Sequence, residues 1–184
     1  MAFQIQGSGL FISLTLKSLD QIFDLRDPSP FREKDLDDDF ARYLIVAVKE
    51  APEIREVHLN LQIAGSEMKH FSPSDVEQAI HEYFEFEVES VQGELRALFS
   101  EARWAAALGL LFLLACQAAG LLLHEQNSLV MEVLKQGLQI LGWVALWRPL
   151  NLLLYEWWPI LRRRRLFQIL TRAKTNIQLL EKAP

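Results

Sequence analysis

The chain has 184 residues, 51% apolar and 23% charged, with a formal net charge of −5. A single cysteine, Cys116, excludes an internal disulfide framework and a cysteine-based zinc site. The charge is partitioned: 10 basic against 20 acidic residues over 1–103, two against three over 104–161, and seven against one over 162–184. An acidic N-terminal region argues against a nucleic-acid partner there. HExxH, GxGxxG, GxSxG and a phosphate loop ending in GKS or GKT are all missing from the sequence, so no cofactor, metal or catalytic residue is assigned and no enzyme is expected.

In chain order, Phe3-Gln4-Ile5-Gln6 reads as a short strand, turned by Gly7-Ser8-Gly9 into a second. There Leu10, Ile12, Leu14 and Leu16 alternate with Phe11, Ser13, Thr15 and Lys17. Ser18 caps a short helix over 19–25. Asp27-Pro28-Ser29-Pro30-Phe31 is a loop stiffened by two prolines. It serves either as a folded turn or as a docking loop in which Pro28, Pro30 and Phe31 meet a protein partner. Asp35, Asp37, Asp38 and Asp39 follow, and carboxylates there suit either a helix dipole or a metal ion. Asp35 or Asp37 caps a helix with Phe40, Tyr43, Leu44 and Val48 on its apolar side. Val57, Leu59, Leu61 and Ile63 alternate as another strand. Ser72-Pro73 then opens a long helix that meets no strong break before His124-Glu125-Gln126-Asn127-Ser128. Two or three strands make a marginal sheet, so burial must come from helices or from a neighbouring subunit.

Trp104 to Leu123 are 20 residues without a charge. A helix of that length covers about 30 Å, the hydrocarbon thickness of a bilayer. A second apolar stretch, 138–161, contains Arg148, Pro149 and Glu156. It ends in Tyr155, Trp157 and Trp158 followed by Arg162, Arg163, Arg164 and Arg165. Interfacial aromatics before a basic run mark a cytoplasmic boundary, which puts both termini inside. The arginines set topology, and can also bind anionic lipid or meet the acidic long helix near Glu94 and Glu101.

Two placements of the return helix are considered. In the preferred one it starts at Leu138. In the other it starts at Leu129, Arg148 reaches the interface, and residues 150–161 lie flat on the membrane. Phe84, Val88, Val91, Leu95, Leu98 and Ala102 form one heptad seam; Leu166, Leu170, Ala173, Ile177 and Leu180 form another. Either the seams pair as an antiparallel coiled coil or each packs on the head or on another subunit. Pairing favours the first placement. It sets Trp104 beside Ile160, Leu123 beside Leu141, and Arg148 level with Cys116 and Gln117. Gln117, Arg148, Asn151 and Tyr155 would then form an intramembrane polar cluster, either a site for an ion, lipid head group or substrate, or a packing hydrogen bond.

The segments DPSPFREKDLDDDFARYLI and LGWVALWRPLNLLLYEWWPILRRRR resemble a group of uncharacterised bacterial inner-membrane proteins. That resemblance covers most of 10–168. It implies a small cytosolic domain and two membrane helices, and transfers no site.

The expectation is therefore an α+β protein, a β-α-α-β-α head joined by a long helix to a two-helix transmembrane hairpin with a coiled-coil extension. The expected parts are a head over 1–72, a stalk helix over 73–103, a first span over 104–123 and an external connector over 124–137. A second span over 138–161 and a basic cytosolic helix over 162–184 complete it. The expected function is an oligomeric scaffold or adaptor of the cytoplasmic membrane, with lipids, further copies of itself and an unidentified protein as partners. The alternative is a channel or transporter subunit using the polar cluster around Arg148.

Overall fold

The structure, a computed structural model, describes residues 2–6, 9–18, 21–24, 35–51, 54–64, 72–122 and 128–180. In chain order the elements are β1 (Ala2–Gln6), β2 (Gly9–Leu16), α1 (Asp38–Lys49), β3 (Glu56–Ala64) and α2 (Pro73–Leu122). Then come α3 (Leu129–Val144), α4 (Trp147–Asn151), a π-helical turn (Leu152–Glu156), α5 (Trp157–Leu170) and β4 (Lys174–Leu180). The chain divides into two compact units. One comprises 1–91 with 162–184, the other 92–161.

The first unit is built on a four-stranded sheet in the order β1-β2-β3-β4. β1 and β2 are antiparallel; β2 with β3 and β3 with β4 are parallel. The alternation legible in the sequence sets its faces. Leu10, Ile12, Leu59, Leu61 and Ile63 are fully buried on one side. Phe11, Ser13, His58, Asn60 and Gln62 lie on the other, where Phe11 stacks on His58 at 4.6 Å and Thr15 donates to Gln62 at 3.1 Å. Helical stripes supply the rest of the core. α1 buries Phe40, Ala41, Leu44, Ala47 and Val48, and the start of α2 buries Val76, Ala79, Ile80 and Phe84. Both are the three-to-four-residue spacing of an amphipathic helix.

Both helix starts follow the expected capping chemistry. Asp37 accepts from the backbone N–H of Asp39 (3.0 Å) and Phe40 (3.2 Å). At α2 the cap is reciprocal: Asp75 N–H donates to Ser72 Oγ (3.3 Å) and Ser72 N–H donates to Asp75 Oδ2 (3.1 Å). Of the expected helix over 19–25, residues 19, 20 and 25 lie outside the described residues; residues 21–24 are not an α-helix, and Phe23 forms an antiparallel bridge with Leu36 instead.

The C-terminal segment departs from expectation. Helix α5 stops at Leu170, and Lys174–Leu180 is a strand beside β3. The basic helix over 162–184 and the coiled-coil seam through Ala173, Ile177 and Leu180 are thus corrected. So is a head confined to 1–72, because the sheet takes its fourth strand from the tail. The physical reason is that Ile177 satisfies two periods at once. It lies on the heptad seam, and with Thr175 it also lies on the apolar face of a strand, opposite Leu61. A β-branched pair next to a three-stranded sheet favours the strand. Phe84 meets Phe167 (ring centroids 6.3 Å), and His81 donates a ring N–H to the Ala173 carbonyl at 2.8 Å, tying α2 to the turn before β4.

The second unit is helical. Helices Pro73–Leu122 and Leu129–Leu170 are each long and apolar enough to cross a membrane. Residues 129–137, expected in an external connector, are helical.

Candidate functional site

Within the helical unit, α2 and α3 run antiparallel, and glycines mark where they touch. A Cβ on Gly120 would meet Lys135 Cγ at 3.6 Å. One on Gly142 would come within 2.8 Å of Leu113 Cδ1, and one on Gly109 within 2.9 Å of the Ala145 carbonyl oxygen. Small residues at such contacts let two backbones approach closely where lipid offers no hydrophobic drive to association. The resulting register differs from the preferred one. Cys116 faces Gly142, not Arg148, and the return helix begins at Leu129. The start at Leu129 is the one that the second placement gave the return helix. The heptad seams could not decide it, because three of the five residues of one seam, Ala173, Ile177 and Leu180, are not helical.

Arg148 consequently finds other partners. Its Nη2 donates to Glu101 Oε1 at 2.7 Å and its Nη1 to Glu156 Oε1 at 2.8 Å; Asn151 Nδ2 donates to the same Glu156 oxygen at 2.8 Å. These are short, charge-assisted hydrogen bonds. Local backbone chemistry builds the cluster. Pro149 has no N–H to offer the Ala145 carbonyl, and α3 gives way to a turn at Ala145 and Leu146 before α4. The freed carbonyl is the one lying against Gly109. Four residues on, the π-helical turn changes the neighbour spacing to five, which sets Asn151 over Glu156. The Trp157 indole N–H, at the start of α5, donates back into that turn to the Leu153 carbonyl at 2.8 Å.

Of the expected polar cluster, Arg148 and Asn151 are joined through Glu156. Gln117 is elsewhere, lining a cavity of about 40 Å³ with Cys116, Gly120, Leu121, Lys135 and Gln139. Tyr155 is exposed. Glu101 and Glu156 were missed as partners. The available signal was that Glu156 is the one carboxylate within the return stretch 138–161. Trp157 and Trp158 pack edge to face at 5.6 Å. Arg162, Arg163 and Arg165 are exposed, while Arg164 is partly buried with its Nε left without a hydrogen-bond partner. Pro28, Pro30 and Phe31 lie outside the described residues.

The outward face of the helical unit is apolar. Trp104, Leu108, Leu111, Leu121, Leu122, Leu129, Val130, Trp143 and Trp147 are all more than 60% exposed. An open groove of about 560 Å³ follows Ala105, Leu108, Gly109, Phe112 and Ala115 to Ala145, Arg148 and Pro149. In the sheet unit, Leu14, Leu16, Phe40 and Tyr43 line a second groove of about 450 Å³ beside Asp37 and Asp39. Tyr83, on α2 outside that groove, has a displaced titration. Burial, and after it the carboxylates of Glu87, Asp35 and Asp38, push its hydroxyl up to about 12. Among the described residues no three His, Cys, Asp or Glu side chains converge as metal ligands.

No protein family, curated protein or solved structure matches the chain.

Proposed function

We propose that this protein is a membrane-anchored scaffold or adaptor, held by a two-helix hairpin and carrying a small α+β head that docks a partner or a further copy. One observation carries the reading. Large apolar side chains of both long helices are exposed all along the hairpin, from Trp104 to Leu122 and from Leu129 to Trp147. Water would make such a surface an aggregation site, whereas hydrocarbon makes it the solvated face.

In this reading the spans are the apolar part of α2 and the return leg from Leu129 to about Leu150. Arg148 and Glu101 then sit at the cytoplasmic edge, where an ion pair keeps access to water and avoids the cost of a charge at mid-bilayer. Arg96 and Arg103 before the first span and Arg162–Arg165 after the second favour both termini in the cytoplasm. The exposed Leu153, Leu154 and Trp158 suit the membrane surface. The resemblance of the two motifs to bacterial inner-membrane proteins favours that membrane. A channel is the weaker reading, since Arg148 already gives donors to two carboxylates and Gln117 does not join it.

The test is fractionation with an alkaline wash, combined with cysteine accessibility in a Cys116→Ser background. The chain is expected to stay with the membrane pellet, with position 165 labelled from the cytoplasmic side only and position 129 from the opposite side only. Release by the alkaline wash, or labelling of both positions from one side, would overturn the anchor. Conductance in planar bilayers that Arg148→Ala alters would favour the channel instead.

A further inference from the structure

We infer that the groove beside Arg148 is a lipid site: it takes one acyl chain of a phospholipid whose headgroup carries a primary ammonium, and that headgroup sits on Arg148, Glu101 and Glu156. The inference rests on the membrane-anchor reading and deepens it by naming a lipid that the hairpin selects.

The groove, of about 560 Å³, and the polar cluster lie within one compact unit. Glu101, Ala105, Leu108, Phe112 and Ala115 follow one another at intervals of four, three, four and three, so they share one face of α2. The last four line the groove, and the return leg adds Arg148 and Pro149. Glu101 stands one helical turn before Ala105 and is bonded to Arg148. A carboxylate and a guanidinium therefore head a strip that is apolar from there on.

Dimensions select an acyl chain. From Ala105 to Ala115 the helix rises about 15 Å. The hydrocarbon core is about 30 Å thick, so this strip runs from one edge of the core to its middle. That is the depth one leaflet's chains occupy. A membrane-spanning helix from a second copy would need a matching surface through both leaflets, whereas on α2 the groove ends at Ala115.

Charge selects the headgroup. Two carboxylates and one guanidinium give the cluster a formal charge of −1. Arg148 donates to Oε1 of Glu101 and to Oε1 of Glu156, and Asn151 donates to that same Glu156 oxygen. Among the described residues no donor reaches Oε2 of either glutamate. A guanidinium carries five N–H groups, so donors remain for a phosphate oxygen. The Arg148 and Glu101 side chains are each 56% exposed, which leaves both within a ligand's reach. A primary ammonium has three N–H donors for the two Oε2 atoms. A quaternary ammonium has none, and a headgroup with phosphate alone brings a second net negative charge to the site. Phosphatidylethanolamine fits these terms; phosphatidylcholine and phosphatidylglycerol do not.

The experiment titrates the full chain, delipidated in detergent, with these three lipids carrying identical acyl chains, and counts bound lipid by native mass spectrometry. The expected result is one phosphatidylethanolamine per chain, with a Kd at least about tenfold below the other two, the size of one hydrogen bond to a charged group. Glu101→Gln keeps an acceptor for Arg148 and should lose most of that preference. Ala115→Phe, at an exposed position in the deep end of the groove, should weaken all three lipids. Circular dichroism checks that both variants fold. Overturning results are no bound lipid, equal binding of the three, tighter phosphatidylglycerol, or an unchanged phosphatidylethanolamine Kd in either variant. A disulfide-linked dimer from Ala115→Cys in a Cys116→Ser background, oxidised in native membranes, would put a second copy in the groove and overturn the inference as well. None of these outcomes alters retention in the alkaline wash, so failure of the lipid site and failure of the anchor are distinguishable.

Discussion

The carbonyl oxygen of Ala145 lies against Gly109, so close that a Cβ there would stand 2.9 Å from it. Pro149 leaves that carbonyl without its usual helical donor, and a glycine on the facing helix leaves room for it. Gly109→Val should overpack this contact and destabilise the hairpin by about 1–3 kcal/mol. Gly142→Ala should cost less, because its nearest obstacle is the tip of the Leu113 side chain. Thermal unfolding in detergent, followed by reactivity of the buried Cys116, measures both. Equal tolerance of the two substitutions would contradict the close approach.

Glu156 accepts from both Arg148 and Asn151 through one oxygen. Glu156→Gln keeps an oxygen acceptor for both donors, whereas Glu156→Ala leaves them unpaired. Melting temperature should therefore fall in the order wild type, Gln, Ala. A Gln variant as unstable as Ala would mean that charge, not acceptor geometry, holds the cluster.

The tail strand gives a contrast between neighbours. Ile177 lies opposite Leu61 on the apolar face, and Asn176 is exposed. Ile177→Asp should destabilise the head by about 2 kcal/mol, within the usual range for a charge placed against a core, while Asn176→Asp should be nearly neutral. Hydrogen exchange at Leu59, Leu61 and Ile63 reads the difference. If the amides of β3 stay equally protected in both variants, β4 does not hold that edge.

Tyr83 makes a pH-dependent contribution with a definite sign. Its hydroxyl is held up to about 12 from an ordinary 10, first by burial and then by Glu87, so the folded state binds its proton more tightly than the unfolded state. The neutral phenol is accommodated fully below pH 10, and stability falls as pH rises from 10 through about 12. Subtracting the Tyr83→Phe profile from that of wild type in chemical denaturation isolates this term. A flat difference across that interval would refute it.

Local chemistry was legible in the residues because it depends on near neighbours. The caps at Asp37 and Ser72, the alternation of β2 and β3, the short strand at Phe3 to Gln6 and the unbroken run from Pro73 all follow from side chains a few positions apart. Arg148 was identified as the centre of a polar cluster because a cation in an apolar stretch is conspicuous, but its partners were not. Glu101 is 47 residues away and reaches Arg148 only if the hairpin register is known. That register is set by where Gly109 and Gly142 allow contact, and single residues of small size carry no periodic signal.

From the amino-acid order alone come the two long apolar helices, the partition of charge and the strands near the N-terminus, each a property of a continuous segment. The tertiary structure alone decided that the last strand completes the first sheet and that Arg148 pairs with Glu101 and Glu156. Those outcomes depend on which distant surfaces meet, and a sequence such as 174–180, which suits a helix seam and a strand face equally, adopts the form its neighbour can pair with.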